Sequence, residues 1–424
     1  MNLRSPFQGL RGQRVAALCA AWALALAGSA LAAPPAKSKA KPKKTRAVAA
    51  RPAPRDGQAE ARLIEVYRLV GAGQARQALA RAEALVREHP NFQLAQLVYG
   101  DLLASRTRPV RSLGDVPEGA GAQGAQPLAE LREESRLRIR ALLERPPAGT
   151  VPSQFLQLST RSRHAIAIDT SRARLYLFEN TAQGMKLLGD YYVSVGKQGV
   201  EKAVEGDLRT PLGVYYITSN LDPKTLKDFY GAGALPINYP NPYDTRRGKT
   251  GSGIWLHGTP PAQFARPPRA SDGCVVLANP DLERLLRTVE IRSTPVVIAP
   301  SLQWVAPAKL KAEARPFAET LAAWRAAKSS GVAERLLPFY ASDFSADGKE
   351  LAEWMPRLRT ELGRVRGRGV QLKDLSFLRW TDSAETMVVT FGEVPEGARS
   401  GPVKRQYWMR VGSQWKIFYE GVIG

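Results

Sequence analysis

Ser271-Asp272-Gly273-Cys274 follows Ile254-Trp255-Leu256-His257-Gly258-Thr259, and 17 positions separate His257 from Cys274. The earlier stretch is an apolar run typical of a strand, and Gly273 allows the backbone to turn tightly beside the cysteine. The other cysteine of the chain, Cys19, lies in an N-terminal segment with the features of a cleavable secretion signal. Because a single thiol remains, an internal disulfide and a cysteine-rich zinc site are excluded. The histidine on a nearby strand then favours a catalytic role for Cys274 over a packing role.

This cysteine–histidine pair suits nucleophilic catalysis. A thiol attacks a carbonyl group as its thiolate, so the sequence predicts a lowered Cys274 pKa and His257 as the general base. The main-chain amides of Gly273 and Cys274 are the predicted donors to the developing oxyanion. The alternative is an inert buried thiol beside a packed histidine. His164 opens a strand without an accompanying motif, and we predict that it is not catalytic.

The two stretches resemble the catalytic domain of the L,D-transpeptidases (YkuD type) over about residues 160–300. The resemblance extends to Thr210-Pro211-Leu212-Gly213-Val214-Tyr215 and to Asn279 and Asp281, which follow the cysteine. It implies a β-sandwich-like domain that needs no cofactor and acts on peptidoglycan stem peptides. It also implies a role for each site residue: Cys274 as nucleophile, His257 as base, the Gly258 carbonyl as the group that orients the imidazole, and Ser271 and Gly273 on the oxyanion side.

Two positions depart from the family pattern. Asp272 stands where many members have histidine, and Val276 stands where many have arginine. The chain therefore lacks the cation that usually handles a stem-peptide carboxylate in the family. The segment from Cys274 to Asn279 is similar to the subgroup that includes the L,D-carboxypeptidases of helical bacteria. Members of that subgroup carry a C-terminal ketosteroid-isomerase-like α+β cone, which the last hundred residues also resemble.

Changes in periodicity along the chain predict an α+β protein of several domains. Helical spacing dominates the first part and resembles a tetratricopeptide-type hairpin, which is expected to pack on the next domain. Five aromatic residues of the C-terminal region are expected in its core, with a ligand pocket as the alternative: Trp324, Tyr340, Trp354, Trp408 and Trp415. The predicted segments are a signal peptide (1–32), a disordered basic tether (33–56), the helical region (57–150), the catalytic domain (151–300), a linker (301–316) and the cone (317–424).

The charge of the chain is consistent with export to an envelope of anionic polymers. The formal net charge is +22, and eight basic residues without an acid lie within residues 33–55. No nucleic-acid recognition motif accompanies this charge, so we predict a periplasmic protein that does not bind nucleic acid. Three scattered histidines do not have metal-ligand spacing, and no metal site is predicted.

Three functions are compatible with the sequence. The first is an L,D-transpeptidase that cleaves the diaminopimelate–D-alanine bond through an acyl-enzyme on Cys274. The second forms the same acyl-enzyme but uses water, as an L,D-carboxypeptidase or a hydrolase that releases a wall-linked protein. The third is a non-catalytic wall-binding scaffold with a degenerate centre, in which the helical hairpin and the cone are docking surfaces. Separately, the helical region is a candidate site for wall-associated proteins. The intact Cys274 and His257 favour an enzyme.

Overall fold

The computed structural model describes residues 57–115, 124–365 and 368–423. The predicted signal peptide (1–32) and basic tether (33–56) lie outside these residues. Within the described ranges, no helix has both the length and the apolar character needed to cross a bilayer. The predicted fold class is confirmed, because helices precede a β-rich middle region and an α+β region follows it.

The N-terminal region is helical, and short corners join its first three helices. Its helices are α1 (Gln58–Gly71), α2 (Ala75–Glu88), α3 (Gln93–Ala104) and α4 (Ala125–Leu143). Their apolar faces bury Leu63, Val66 and Leu85 in a core that also contains Tyr192 and Phe264 of the middle region. The helices therefore pack on the next domain, as the sequence predicted.

Thirteen short strands lie between residues 151 and 305. They are β1 (Val151–Pro152), β2 (Phe155–Gln157), β3 (His164–Asp169), β4 (Arg174–Thr181), β5 (Gly184–Tyr192), β6 (Val195–Gly196), β7 (Gly213–Tyr216), β8 (Ala234–Pro236), β9 (Trp255–His257), β10 (Arg269–Ser271), β11 (Val275–Val276), β12 (Pro295–Ala299) and β13 (Trp304–Val305). Helices α5 (Pro242–Arg246) and α6 (Asn279–Thr288) and two 3-10 turns, Pro223–Thr225 and Asp228–Tyr230, complete the region.

Two sheets of the middle region position the predicted catalytic residues. The larger has the order β5–β4–β3–β12–β7, and the smaller has the order β11–β9–β8. In the smaller sheet β9 and β11 run parallel, and Val276 lies opposite His257. Because Cys274 immediately precedes β11, this pairing places the cysteine beside Trp255, two residues before His257 on the adjacent strand.

The C-terminal region packs helices on one curved antiparallel sheet. Its helices are α7 (Pro307–Ser329), α8 (Ala333–Leu336) and α9 (Leu351–Val365), with a 3-10 turn at Leu337–Phe339. Its strands are β14 (Ser345–Ala346), β15 (Lys349–Glu350), β16 (Val370–Thr381), β17 (Glu385–Pro395), β18 (Val403–Val411) and β19 (Gln414–Val422). Trp324, Tyr340, Trp354 and Trp408 are buried and belong to the core, whereas Trp415 is partly buried against it.

The boundary between the last two regions differs from the prediction. Residues 307–316, which the sequence assigned to a linker, are helical, and Pro316 lies inside α7. An interior proline removes one helical hydrogen bond. The helix continues because Leu310, Phe317 and Leu321 bury a common face. The strand β2, which the prediction placed in the catalytic domain, pairs with β16 and extends the C-terminal sheet.

Candidate active site

His257 is held at the end of β9 in a defined tautomer. Its side chain is buried, and its Nδ1 lies 2.7 Å from the carbonyl oxygen of Gly258. A carbonyl oxygen only accepts hydrogen bonds, so Nδ1 carries the proton and Nε2 keeps its lone pair. The Gly258 amide in turn donates to the Tyr230 carbonyl at 3.0 Å, which fixes the orienting group itself.

The imidazole of His257 is neutral at neutral pH. Burial lowers the pKa of His257 to about 4, and the nearby Arg266 charge acts in the same direction. The hydrogen bond to Gly258 opposes this shift without cancelling it. His257 is therefore available as a proton acceptor across the physiological range.

The thiol of Cys274 is also neutral, which corrects the predicted lowered pKa. Burial raises the pKa of Cys274, and a hydrogen bond from the Trp255 amide and the charge of Arg266 only partly oppose that effect. Its sulfur lies 3.5 Å from the Gly253 carbonyl oxygen, as expected for a protonated thiol that donates. The resting site is thus an uncharged thiol and an uncharged imidazole.

Ser271 and Gly273 form the turn that presents the cysteine. The Ser271 hydroxyl donates to the Cys274 carbonyl at 2.6 Å and accepts from the Gly273 amide at 3.2 Å. Ser271 Oγ therefore binds the Gly273 amide, which was predicted to face the oxyanion, and the Cys274 amide is the other predicted donor. Gly273 has φ +125°, and a Cβ there would lie 2.7 Å from the Arg209 carbonyl oxygen. The turn consequently requires glycine.

One cavity of about 320 Å³ brings the predicted residues together. Cys274, His257 and Ser271 line it, and Phe229, Tyr230 and Arg266 form part of its wall. The ring centroids of Tyr230 and Phe229 lie 5.1 and 5.8 Å from that of His257. His164 lies elsewhere, with its Nδ1 3.0 Å from a Glu290 carboxylate oxygen.

Asn279 is a positioning residue whose contacts the sequence did not reveal. Asn279 is the first residue of α6, and Ala278 is the N-cap residue before it. The Asn279 side chain accepts from the Ala232 and Thr259 amides at 3.0 and 3.1 Å and donates to the Thr259 carbonyl at 2.8 Å. These bonds fix the segment that follows Gly258.

Neither departure from the family pattern places a charge in the core of the site. Asp272 is exposed and pairs with Lys197 at 2.8 Å. Val276 is buried opposite His257. Among the described residues, no group of three or more histidine, cysteine, aspartate or glutamate side chains is arranged to hold a metal ion.

Comparison with known protein families agrees with this geometry. Residues 163–298 match the YkuD family model, the L,D-transpeptidase catalytic domain. This region is an L,D-transpeptidase catalytic domain of the YkuD family. Residues 316–421 match the C-terminal NTF2-like domain of the Cds6 family, which identifies the predicted α+β cone as NTF2-like. The catalytic domain belongs to a family of enzymes that act on peptidoglycan.

Some solved structures are similar to this chain over nearly their whole length. Bd1075 of Bdellovibrio bacteriovorus is 26% identical with a TM-score of 0.54, and the match covers 64% of this chain and 98% of that one. Pgp2 of Campylobacter jejuni, a helical cell shape determining protein, is 19% identical with a TM-score of 0.49, over 69% of this chain and 100% of that one. Among curated protein sequences, none matches this chain significantly.

Proposed function

We propose that this protein is an exported L,D-transpeptidase that cleaves the bond between diaminopimelate and D-alanine in peptidoglycan stem peptides. The observation that supports this most directly is the neutral Cys274–His257 pair, which lines one cavity inside an L,D-transpeptidase domain. The Gly258 carbonyl fixes the imidazole so that the lone pair of Nε2 remains free to accept a proton.

In the acylation step, the Cys274 thiol transfers its proton to His257 Nε2 while the sulfur attacks the scissile carbonyl carbon. A carbon–sulfur bond forms and the carbonyl π electrons move to the oxygen, for which the Cys274 amide is the remaining predicted donor. As the intermediate collapses, the carbon–nitrogen bond breaks and the imidazolium returns the proton to the departing amine. The products are a thioester on Cys274 and free D-alanine.

In the second step, an acceptor amine attacks the thioester and gives its proton to His257. The carbon–sulfur bond then breaks, and the sulfur takes the proton back from the imidazolium. Water can replace the amine, which makes the protein an L,D-carboxypeptidase or a hydrolase. The small size of the cavity, about 320 Å³, supports this second candidate, because it accommodates one chain end more readily than two peptides.

Export is part of the proposal. Within residues 33–424 the one cysteine is Cys274, which is expected of a protein that uses a thiol in an oxidising compartment. We expect the mature protein in the periplasmic fraction, with Ala33 as its first residue after cleavage behind Ala30-Leu31-Ala32. A cytoplasmic protein that keeps residues 1–32 would contradict export.

Binding of wall-associated proteins by the helical region stays a prediction.

The deciding experiment incubates purified sacculi with the protein and separates the released muropeptides by mass. Cross-linked dimers joined through two diaminopimelates indicate transfer, whereas tripeptides alone indicate hydrolysis.

We expect Cys274→Ala and His257→Gln to lower turnover by at least roughly 10³-fold. His164→Gln is the matched control, because it removes a histidine outside the cavity. Equal processing by wild type and Cys274→Ala would contradict the proposal, and binding of sacculi without turnover would favour the scaffold.

A further inference from the structure

Arg266 is a buried cation in the wall of the catalytic cavity. It lies on the connection between His257 and Cys274, and 6% of the residue is exposed. Its guanidinium lies 4.2 Å from the centroid of the Phe229 ring, and its Nη2 lies 3.4 Å from the Phe229 carbonyl oxygen. The guanidinium therefore shares one cavity with the nucleophilic sulfur.

This guanidinium has no carboxylate partner among the described residues. Asp272 acts on its pKa from a distance, but that carboxylate is exposed and pairs with Lys197 at 2.8 Å. The other cation of the cavity wall, Lys202, already pairs with Asp207 at 2.8 Å. A buried charge without a partner is costly, and arginine keeps its charge at any physiological pH. The wall also carries the Glu205 and Asp272 carboxylates, but both are exposed, so the buried Arg266 is the group in this cavity that favours an anionic ligand.

The protein holds Arg266 in place before any ligand arrives. The Tyr192 hydroxyl donates to the Arg266 carbonyl at 2.9 Å. Two positions earlier, the Phe264 amide donates to the Asn91 carbonyl at 3.1 Å, and the Phe264 ring stacks on Phe92. These contacts hold the backbone on either side of Arg266 from outside the cavity. The Arg266 side chain therefore loses little conformational entropy when it binds a ligand.

We propose that Arg266 binds the terminal carboxylate of the amino acid that leaves during acylation. This inference rests on the proposed function and adds a specificity to it. The carboxylate of a C-terminal residue lies immediately beyond the scissile amide, within the cavity that holds Cys274. A guanidinium binds such a carboxylate with two parallel hydrogen bonds, which also orient the amide for attack. The site consequently prefers stem peptides whose last residue is the leaving amino acid with a free carboxylate. Longer peptides and peptides with an amidated C-terminus are poorer acyl donors.

The test compares two acyl donors that differ only at the leaving end: a disaccharide tetrapeptide with a terminal D-alanine carboxylate, and the same compound with a terminal carboxamide. We expect wild type to prefer the carboxylate by roughly 10- to 100-fold in kcat/KM, as for a hydrogen-bonded charged group. Arg266→Gln should lose that preference, because it slows the carboxylate donor far more than the carboxamide donor. Arg266→Lys should retain part of it, because it keeps the charge.

Arg269→Gln is the matched control, because it removes the same charge from an exposed position on the same connection. It should leave the preference intact. Equal use of both donors by wild type overturns this inference alone and needs no variant that might alter folding. An equal loss on both donors in Arg266→Gln likewise overturns it, since that pattern indicates a structural role. A wild-type protein that processes neither donor overturns the proposed function and this inference together.

Discussion

Phe264, which lies between His257 and Cys274 in the sequence, stacks on Phe92 of the N-terminal helices with ring centroids 4.2 Å apart. Asn91 reinforces the contact, because its side chain donates to the Pro261 carbonyl at 2.9 Å. The connection between the two catalytic motifs is therefore held by a region outside the catalytic domain. This gives the N-terminal helices an intramolecular role that requires no binding partner.

Replacement of Phe92 by alanine tests that role. The ring is buried, so we expect Phe92→Ala to lower the free energy of unfolding by about 3–5 kcal/mol. We also expect KM to rise, because the connection that carries Arg266 loses its anchor. Urea denaturation and steady-state kinetics measure the two effects. Phe92→Leu, which keeps most of the apolar volume, should show a smaller change in both. A destabilised Phe92→Ala with unchanged KM would show that the connection is positioned without the helices.

Asn279 is predicted to act on catalysis through the segment beside the general base. Asn279→Ala leaves the Thr259 amide and carbonyl and the Ala232 amide without their partner. We expect a loss of about 1–3 kcal/mol in the free energy of unfolding. Because Gly258 precedes Thr259, we also expect a fall in kcat of roughly 10- to 100-fold from misorientation of His257.

The control for Asn279→Ala is Glu283→Ala, a change on the exposed face of the same helix. It should leave both kcat and stability within error. A variant at Asn279 that loses stability but keeps kcat would show that the segment after Gly258 does not need these bonds to orient the imidazole.

Several parts of the fold were predictable because they depend on local pattern. The order of a helical, a β-rich and an α+β region was predicted from changes in periodicity along the chain, and the structure has that order. The choice of His257 and Cys274 as candidates also came from local pattern, because each stands in a short motif with its own glycine, and both line one cavity.

The remaining features depend on tertiary placement, which local pattern does not encode. Glu60 and Arg174 are 114 positions apart and look like ordinary surface charges in the sequence, yet they form a buried ion pair at 2.8 Å. The sequence around Arg266 did not predict its burial, because that burial comes from packing between the connection and the cavity wall. The Cys274 pKa was mispredicted for the same reason, since desolvation outweighs the hydrogen bond and the nearby cation.

The buried ion cluster between the N-terminal helices and the catalytic domain is predicted to be sensitive to the loss of one member. Arg138 pairs with Glu60 and with Glu134, each at 2.7 Å, and its guanidinium lies 3.9 Å from the centroid of the Tyr192 ring. Removal of Arg138 leaves the buried Glu134 without its partner, whereas Glu60 keeps Arg174. We therefore expect Arg138→Ala to cost about 3–5 kcal/mol in urea denaturation.

Arg136→Ala is the control on the same helix, because Arg136 forms an exposed pair with Glu133. An exposed pair of this kind contributes at most about 1 kcal/mol. Similar losses for Arg136→Ala and Arg138→Ala would contradict the view that burial makes the inner cluster important.

The protonation states of the catalytic pair predict an unusual pH dependence. His257 has its pKa lowered to about 4 from an ordinary value of 6.5, so it can accept a proton at any pH above that value. We expect kcat/KM to rise through about pH 4 and then to stay level through neutrality, because kcat/KM reports the free enzyme. An acid limb near pH 6.5 would instead indicate a solvated imidazole.

Alkylation of Cys274 by iodoacetamide tests the other member of the pair. Since burial raises the Cys274 pKa above its ordinary value of 9.0, thiolate is scarce at neutral pH. We expect slow labelling at pH 7 that accelerates only above pH 9, whereas the same protein unfolded in urea should label with an ordinary thiol profile. Rapid labelling of the folded protein at pH 7 would show a preformed thiolate. Slow labelling together with full Cys274-dependent turnover would show that the thiol ionises only as it attacks, with His257 taking the proton in the same step.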